Sequence, residues 1–182
     1  MTHRIFISLD IPEAVKENLI ELRNSIYGPP NNLNWEDSSK LHITLKFLGD
    51  VGENILELLL NRLETIKFTQ IKTNFSKFGF FKRGSELKIL YTDFLRNVEI
   101  VNFQKIIEEE CQLLGFKKEN HNFYPHVTVL RIKKNLDISR IKKFNNYIIN
   151  SEEFIINKFS VVKSKLEQTG SVYTKIKSFE LK

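Results

Sequence analysis

Apolar residues repeat along this chain with two periods, one that suits strands and one that suits helices. Residues 4–9 carry the β-branched and aromatic run of a strand, and Asp10, Pro12 and Glu13 then supply a cap, an early proline and a first-turn acid. Val15, Leu19, Leu22 and Ile26 mark one face of the helix this predicts, which the prolines at 29 and 30 stop near Tyr27 and Gly28. Residues 28–40 read as loop, and residues 40–48 predict a second strand closed by Gly49 and Asp50. Asp50 and Glu53 are placed to cap a second helix with Ile55, Leu58, Leu59, Leu63 and Ile66 as its core stripe. Two strands at about 70–78 and 87–92, joined by a turn at 82–85, predict a hairpin. A helix over roughly 98–114 stops at Gly115, residues 125–132 form another strand, and a short helix is expected near 139–149. Two closing strands, about 154–164 and 172–181, flank a turn at 168–171. Roughly four helices and seven or eight strands in irregular order give an α+β fold rather than a doubly wound parallel sheet.

A chain of 182 residues supports one ample core, so residues 1–182 are expected to form one domain. Its 41% apolar and 27% charged content excludes the disordered and collagen-like classes. Nowhere do 18 uncharged apolar residues run together, and the opening apolar stretch is too short for a signal peptide, which predicts a soluble cytoplasmic protein, with monomer as the default state. The lone Cys111 aligns with Phe103, Ile107 and Leu114 at helical spacing, as a buried and inert thiol would. A net charge of +6 favours anionic partners such as RNA ends and phosphates.

Candidate chemistry comes from two short stretches that echo each other. His42-Ile-Thr-Leu45 and His126-Val-Thr-Val129 each read His, aliphatic, Thr, aliphatic. On a strand, His42 and Thr44 point one way while Ile43 and Leu45 point the other, and the second copy repeats this with His126 and Thr128. If the apolar members face a core, two imidazoles and two hydroxyls can gather around one small volume. Hydrolysis of a cyclic phosphate needs such a set. Water must lose a proton as it attacks phosphorus, the departing oxygen must gain one, and a hydroxyl can donate to a phosphate oxygen as charge builds up.

The chain resembles the RNA 2′,3′-cyclic phosphodiesterases, also called 2′-5′ RNA ligases, of the 2H phosphoesterase superfamily. The resemblance is carried by residues 41–49 and 125–131 around the two His-x-Thr-x motifs, with echoes in residues 4–12, in Trp35 and in the Leu166, Gly170, Tyr173 pattern. It implies a bilobal fold, with two antiparallel sheets related by a pseudo-twofold axis, helices outside and a central cleft. It further implies His42 as proton donor to the leaving oxygen, His126 as the base that activates water, and a 2′-phosphate product. The expected partners are RNA with 2′,3′-cyclic phosphate ends or small cyclic nucleotides, with no cofactor and no metal. Two other readings use the same residues: a non-catalytic RNA- or nucleotide-binding module, and 2′-5′ ligation by the reverse reaction.

Four neighbours are candidate substrate contacts. Lys46 shares the face of His42 and Thr44 by period-two counting, whereas Arg131 falls on the opposite face from His126 unless the strand twists or ends. Phe47 and Tyr124, with Phe123, could stack on a terminal base. His3 and His121 have no ligand cluster around them in sequence.

Overall fold

The structure, a computed structural model, describes residues 2–29, 33–133, 136, 138–168 and 170–182. Pro30 and Thr169, which fall in two of the turns read from sequence, lie outside the described residues. Among the described residues three α-helices and nine strands follow in the order β1 (Thr2–Asp10), α1 (Glu13–Tyr27), β2 (His42–Gly52), α2 (Glu53–Glu64), β3 (Ile71–Thr73), β4 (Phe75–Arg83), β5 (Glu86–Phe94), α3 (Val98–Gln112), β6 (Val127–Arg131), β7 (Phe154–Ile156), β8 (Lys158–Glu167) and β9 (Gly170–Glu180). The α+β class expected from the pattern is what forms.

Seven strands make one antiparallel sheet in the order β4-β5-β6-β2-β1-β8-β9, and β3 pairs with β7 in a second, two-stranded sheet. The larger sheet is two halves joined at one point: β2 and β6 share the single registered pair Ile43 and Val127. Beyond that point the edge of β6 is taken up by the chain before β2, where Trp35 bridges Leu130 and the Glu36 amide donates to the Val129 carbonyl at 3.0 Å.

One face of the sheet is packed. Ile5, Ile7 and Leu9 of β1, Ile43 and Leu45 of β2, and Val127 and Val129 of β6 are all buried there. The helices cover it crosswise. α3 follows β5 yet lies on β2 and α2, while α1 follows β1 yet lies against the 3-10 turns at Ser38–Lys40 and Ile141–Phe144. Arg140 fixes the end of α1 by donating to the carbonyls of Tyr27, Gly28 and Pro29.

Four local expectations change. Ile55 and Leu58 of α2 are exposed, and Leu56, Leu59 and Leu63 form the buried stripe, because packing on α3, β2 and β9 selects one of two apolar phases the sequence offers. Asp10 and Asp50 are not caps but the last residues or near-last residues of long strands, and neither α1 nor α2 has a side-chain cap bond. The strand expected at 70–78 splits, its first part pairing with β7 instead of entering the hairpin. The helix expected at 139–149 is only the turn Ile141–Phe144; Asn146 adopts φ 57°, and the chain then runs extended beside β4.

Candidate active site

The open face of the sheet carries the polar members of both motifs. Antiparallel pairing of Ile43 with Val127 sets His42 across from Thr128 and Thr44 across from His126. The four half-buried side chains form a quartet with approximate twofold symmetry about that pair, and the imidazoles occupy one diagonal. Diagonal neighbours on adjacent strands have Cα atoms about 7–8 Å apart, a span one phosphate can occupy with a ring on either side.

Both strands bulge immediately after the threonine. The β1 register passes from Ser8 opposite Thr44 to Ile7 opposite Lys46, leaving Leu45 unpaired. In β6 it passes from Thr128 opposite Tyr91 to Leu130 opposite Leu90, leaving Val129 unpaired. An extra residue reverses which way every later side chain points. Lys46 therefore enters the packed interior, where its Nζ donates to Glu108 Oε1 at 2.6 Å and to the Lys117 carbonyl at 2.8 Å. This corrects the reading of Lys46 as a substrate contact. Phe47 and Arg131 come out on the open face instead. Arg131 Nε donates to Glu36 Oε1 at 3.1 Å, and its charge bears on both histidines.

The two imidazoles have different surroundings. His42 stacks on Phe6 at 5.0 Å between ring centres and meets the edge of Tyr173 at 5.6 Å. Burial pushes its pKa down to about 4, helped by the charges of Lys16, Arg131 and Lys175 and by His126. His126 lies edge-on to Phe81 at 4.8 Å and beside Tyr91 and Tyr124. Its Nδ1–H donates to the Tyr124 carbonyl at 2.8 Å, which leaves Nε2 as the proton-accepting nitrogen. Burial and Arg131 hold the His126 pKa below the ordinary imidazole value, and the Tyr124 carbonyl opposes them. Tyr124 is itself anchored, its hydroxyl donating to Asp93 Oδ2 at 2.7 Å, so its ring stands beside His126 half out in solvent.

A family model described as LigT-like phosphoesterase matches residues 9–91 and 96–173, which include both motifs. The chain belongs to that family, within the 2H phosphoesterase superfamily. It is 31% identical over 180 residues to the RNA 2′,3′-cyclic phosphodiesterase of Methanocaldococcus jannaschii, covering 97% of this chain and 99% of that protein. It is 26% identical to the protein of the same name from Archaeoglobus fulgidus, covering 97% and 99%. Escherichia coli LigT complexed with 3′-AMP shares the fold at TM-score 0.81 and 19% identity, over 100% of this chain and 99% of that one. TT0787 of Thermus thermophilus does so at TM-score 0.80 and 21% identity, over 98% and 97%.

Within this LigT-like phosphoesterase, sequence reasoning missed Phe6, which alternation along β1 puts on the open face and which could have been found by extending the count from Ser8. It also missed Phe81 and Tyr91, brought to His126 only by the β4-β5-β6 pairing, and the cations Lys16 and Lys175. Gly79 serves that cluster: a Cβ there would sit 2.7 Å from the Tyr91 ring, so glycine lets the ring lie across β4. Phe123 packs against the core rather than facing the site. Cys111 is buried beside Phe103 and Ile107, and burial pushes its thiol pKa up to about 12. Among the described residues no group of three His, Cys, Asp or Glu side chains could hold a metal ion, and no helix is long and apolar enough to cross a membrane.

Proposed function

We propose that this phosphoesterase hydrolyses the 2′,3′-cyclic phosphate at the end of an RNA to a 2′-phosphomonoester, without a metal, using His42 and His126 as acid and base. The observation that carries the reading is the pairing of Ile43 with Val127, which puts two titratable rings and two hydroxyls about one point on an open face. The names of the most similar relatives point to the same substrate class.

In this reading His126 Nε2 takes a proton from water as the water oxygen bonds to phosphorus. The bond from phosphorus to the ribose 3′ oxygen breaks, and that oxygen takes the proton held by His42. The Thr44 and Thr128 hydroxyls donate to the non-bridging oxygens, and Arg131 balances their charge. Burial and, after it, nearby cations depress the His42 pKa, and a bound phosphate anion acts in the opposite sense, favouring the charged ring. The whole chain, residues 1–182, acts as one unit in the cytoplasm, each half of the sheet supplying one motif. The test is incubation of an oligoribonucleotide ending in a 2′,3′-cyclic phosphate with the protein in excess EDTA. A 2′-phosphate terminus is the expected product. Binding without turnover would reduce the site to a recognition module, and loss of turnover on chelation would remove the two-histidine mechanism.

A further inference from the structure

Next to the histidine pair a cavity of about 310 Å³ opens between the end of β6, the chain before β2 and the tip of the β8-β9 hairpin. Arg131 and Tyr173 belong to both places: they line the cavity, Arg131 acts on both imidazoles, and Tyr173 touches the ring of His42. The remaining wall includes Lys40, Lys133 and Ser171. Among the described residues Glu36 is the only carboxylate in the lining, and it is held by Arg131.

The cations of this wall extend past the reaction centre. Arg131 faces that centre with Glu36 offsetting part of its charge, and Lys40 and Lys133 lie farther along the wall. Lys40 is shared with the Asp37 carboxylate at 3.2 Å, which offsets its charge. Lys133 is exposed and has no carboxylate partner among the described residues. It stands two residues beyond Arg131, about 7 Å further along extended chain, a step comparable to that between successive phosphates of a stretched single strand. A neutral base or ribose would not call for an unpaired cation at this place, whereas a second phosphate would.

We propose that this cavity binds the phosphodiester one nucleotide upstream of the reacting end of a single-stranded RNA, with Lys133 as its counter-ion, Lys40 as a second cation shared with Asp37, and the Ser171 hydroxyl as a donor. The proposal rests on the function given above and makes the enzyme a reader of polynucleotide ends rather than of free cyclic mononucleotides.

Binding can test it independently of turnover, using a ribonucleoside 3′-phosphate and a diribonucleotide carrying the same terminal 3′-phosphate. Lys133→Ala should weaken the dinucleotide by about fivefold to tenfold relative to the mononucleotide, and Lys133→Arg should restore most of the loss. The slope of log Kd against log salt for the dinucleotide should become shallower by about 0.7 in Lys133→Ala. Adding Lys40→Ala should widen the difference between the two ligands. An equal loss on both ligands would place Lys133 at the reacting phosphate and overturn the proposal, as would no loss on either. Turnover of a mononucleoside 2′,3′-cyclic phosphate, measured separately, reports on the underlying activity and fails or succeeds apart from this result.

Discussion

From His42 to Phe47 and from His126 to Arg131 the chain follows one path twice. In each copy an imidazole and a threonine face outward around a buried aliphatic residue, a bulge follows at Leu45 or Val129, the next side chain turns inward, and the one after it turns out. The backbone is nearly symmetric and the occupants are not. The inward position holds Lys46 in one copy, paired with Glu108, and Leu130 in the other; the outward position holds Phe47 in one and Arg131 in the other. Both imidazoles sit against aromatic rings, but His126 has its Nδ1 tied to a carbonyl, whereas His42 lies in the field of three cations. Backbone geometry thus supplies two equivalent positions for imidazoles, and unlike neighbours surround them, the asymmetry on which the proposed division into acid and base rests.

Removing a carrier is expected to have the largest effect. His42→Ala and His126→Ala should each lower kcat on a cyclic-phosphate RNA end by about 10²- to 10⁴-fold, and the double variant should fall little further because the two rings work on one event. A double variant whose loss equals the product of the single losses would mean independent roles. The threonines should matter less and equally: Thr44→Val and Thr128→Val should each cost about 10²-fold in kcat with KM nearly unchanged. A strong bias to one of them would show that the symmetry stops at the backbone.

The inward position separates the copies by stability. Lys46→Met leaves Glu108 buried with only Gln104 and the Glu119 amide as partners. It should cost about 3–5 kcal/mol in denaturant unfolding, while phosphate binding to the folded fraction stays as in the parent. Weakened phosphate binding at full stability would return Lys46 to the substrate. The pH response is expected to be smaller. Because bound phosphate raises the depressed pKa of His42, the alkaline limb of the kcat profile should lie at higher pH than that of kcat/KM; coincident limbs would remove His42 as the acid. The same depression affects folding. Between pH 6.5 and about 4 the unfolded chain holds a proton on His42 that the folded chain lacks, so stability falls as pH drops through that window. His42→Asn should flatten this slope in thermal melts at stepped pH.

The quartet was legible in sequence because it depends only on alternation over three residues, and no insertion interrupts His42 to Thr44 or His126 to Thr128. Counting by twos misplaced Lys46 and left Arg131 to reach the site only through a departure from the regular strand, since a bulge is set by how neighbouring strands twist and pair and leaves no mark in the bulged residue itself. Helix α2 offered two apolar phases, and only its tertiary partners chose between them. The aromatic wall of His126 needed the register of β4 on β5 and of β5 on β6, which no local pattern encodes.

If both rings serve a single phosphorus centre, one bound anion must alter both. Titrating the imidazole resonances of His42 and His126 by NMR, with and without one equivalent of a ribonucleoside 2′-phosphate, should show both pKa values rising together when the ligand is present. A shift confined to one ring, or none in either, would contradict the shared centre on which the mechanism rests.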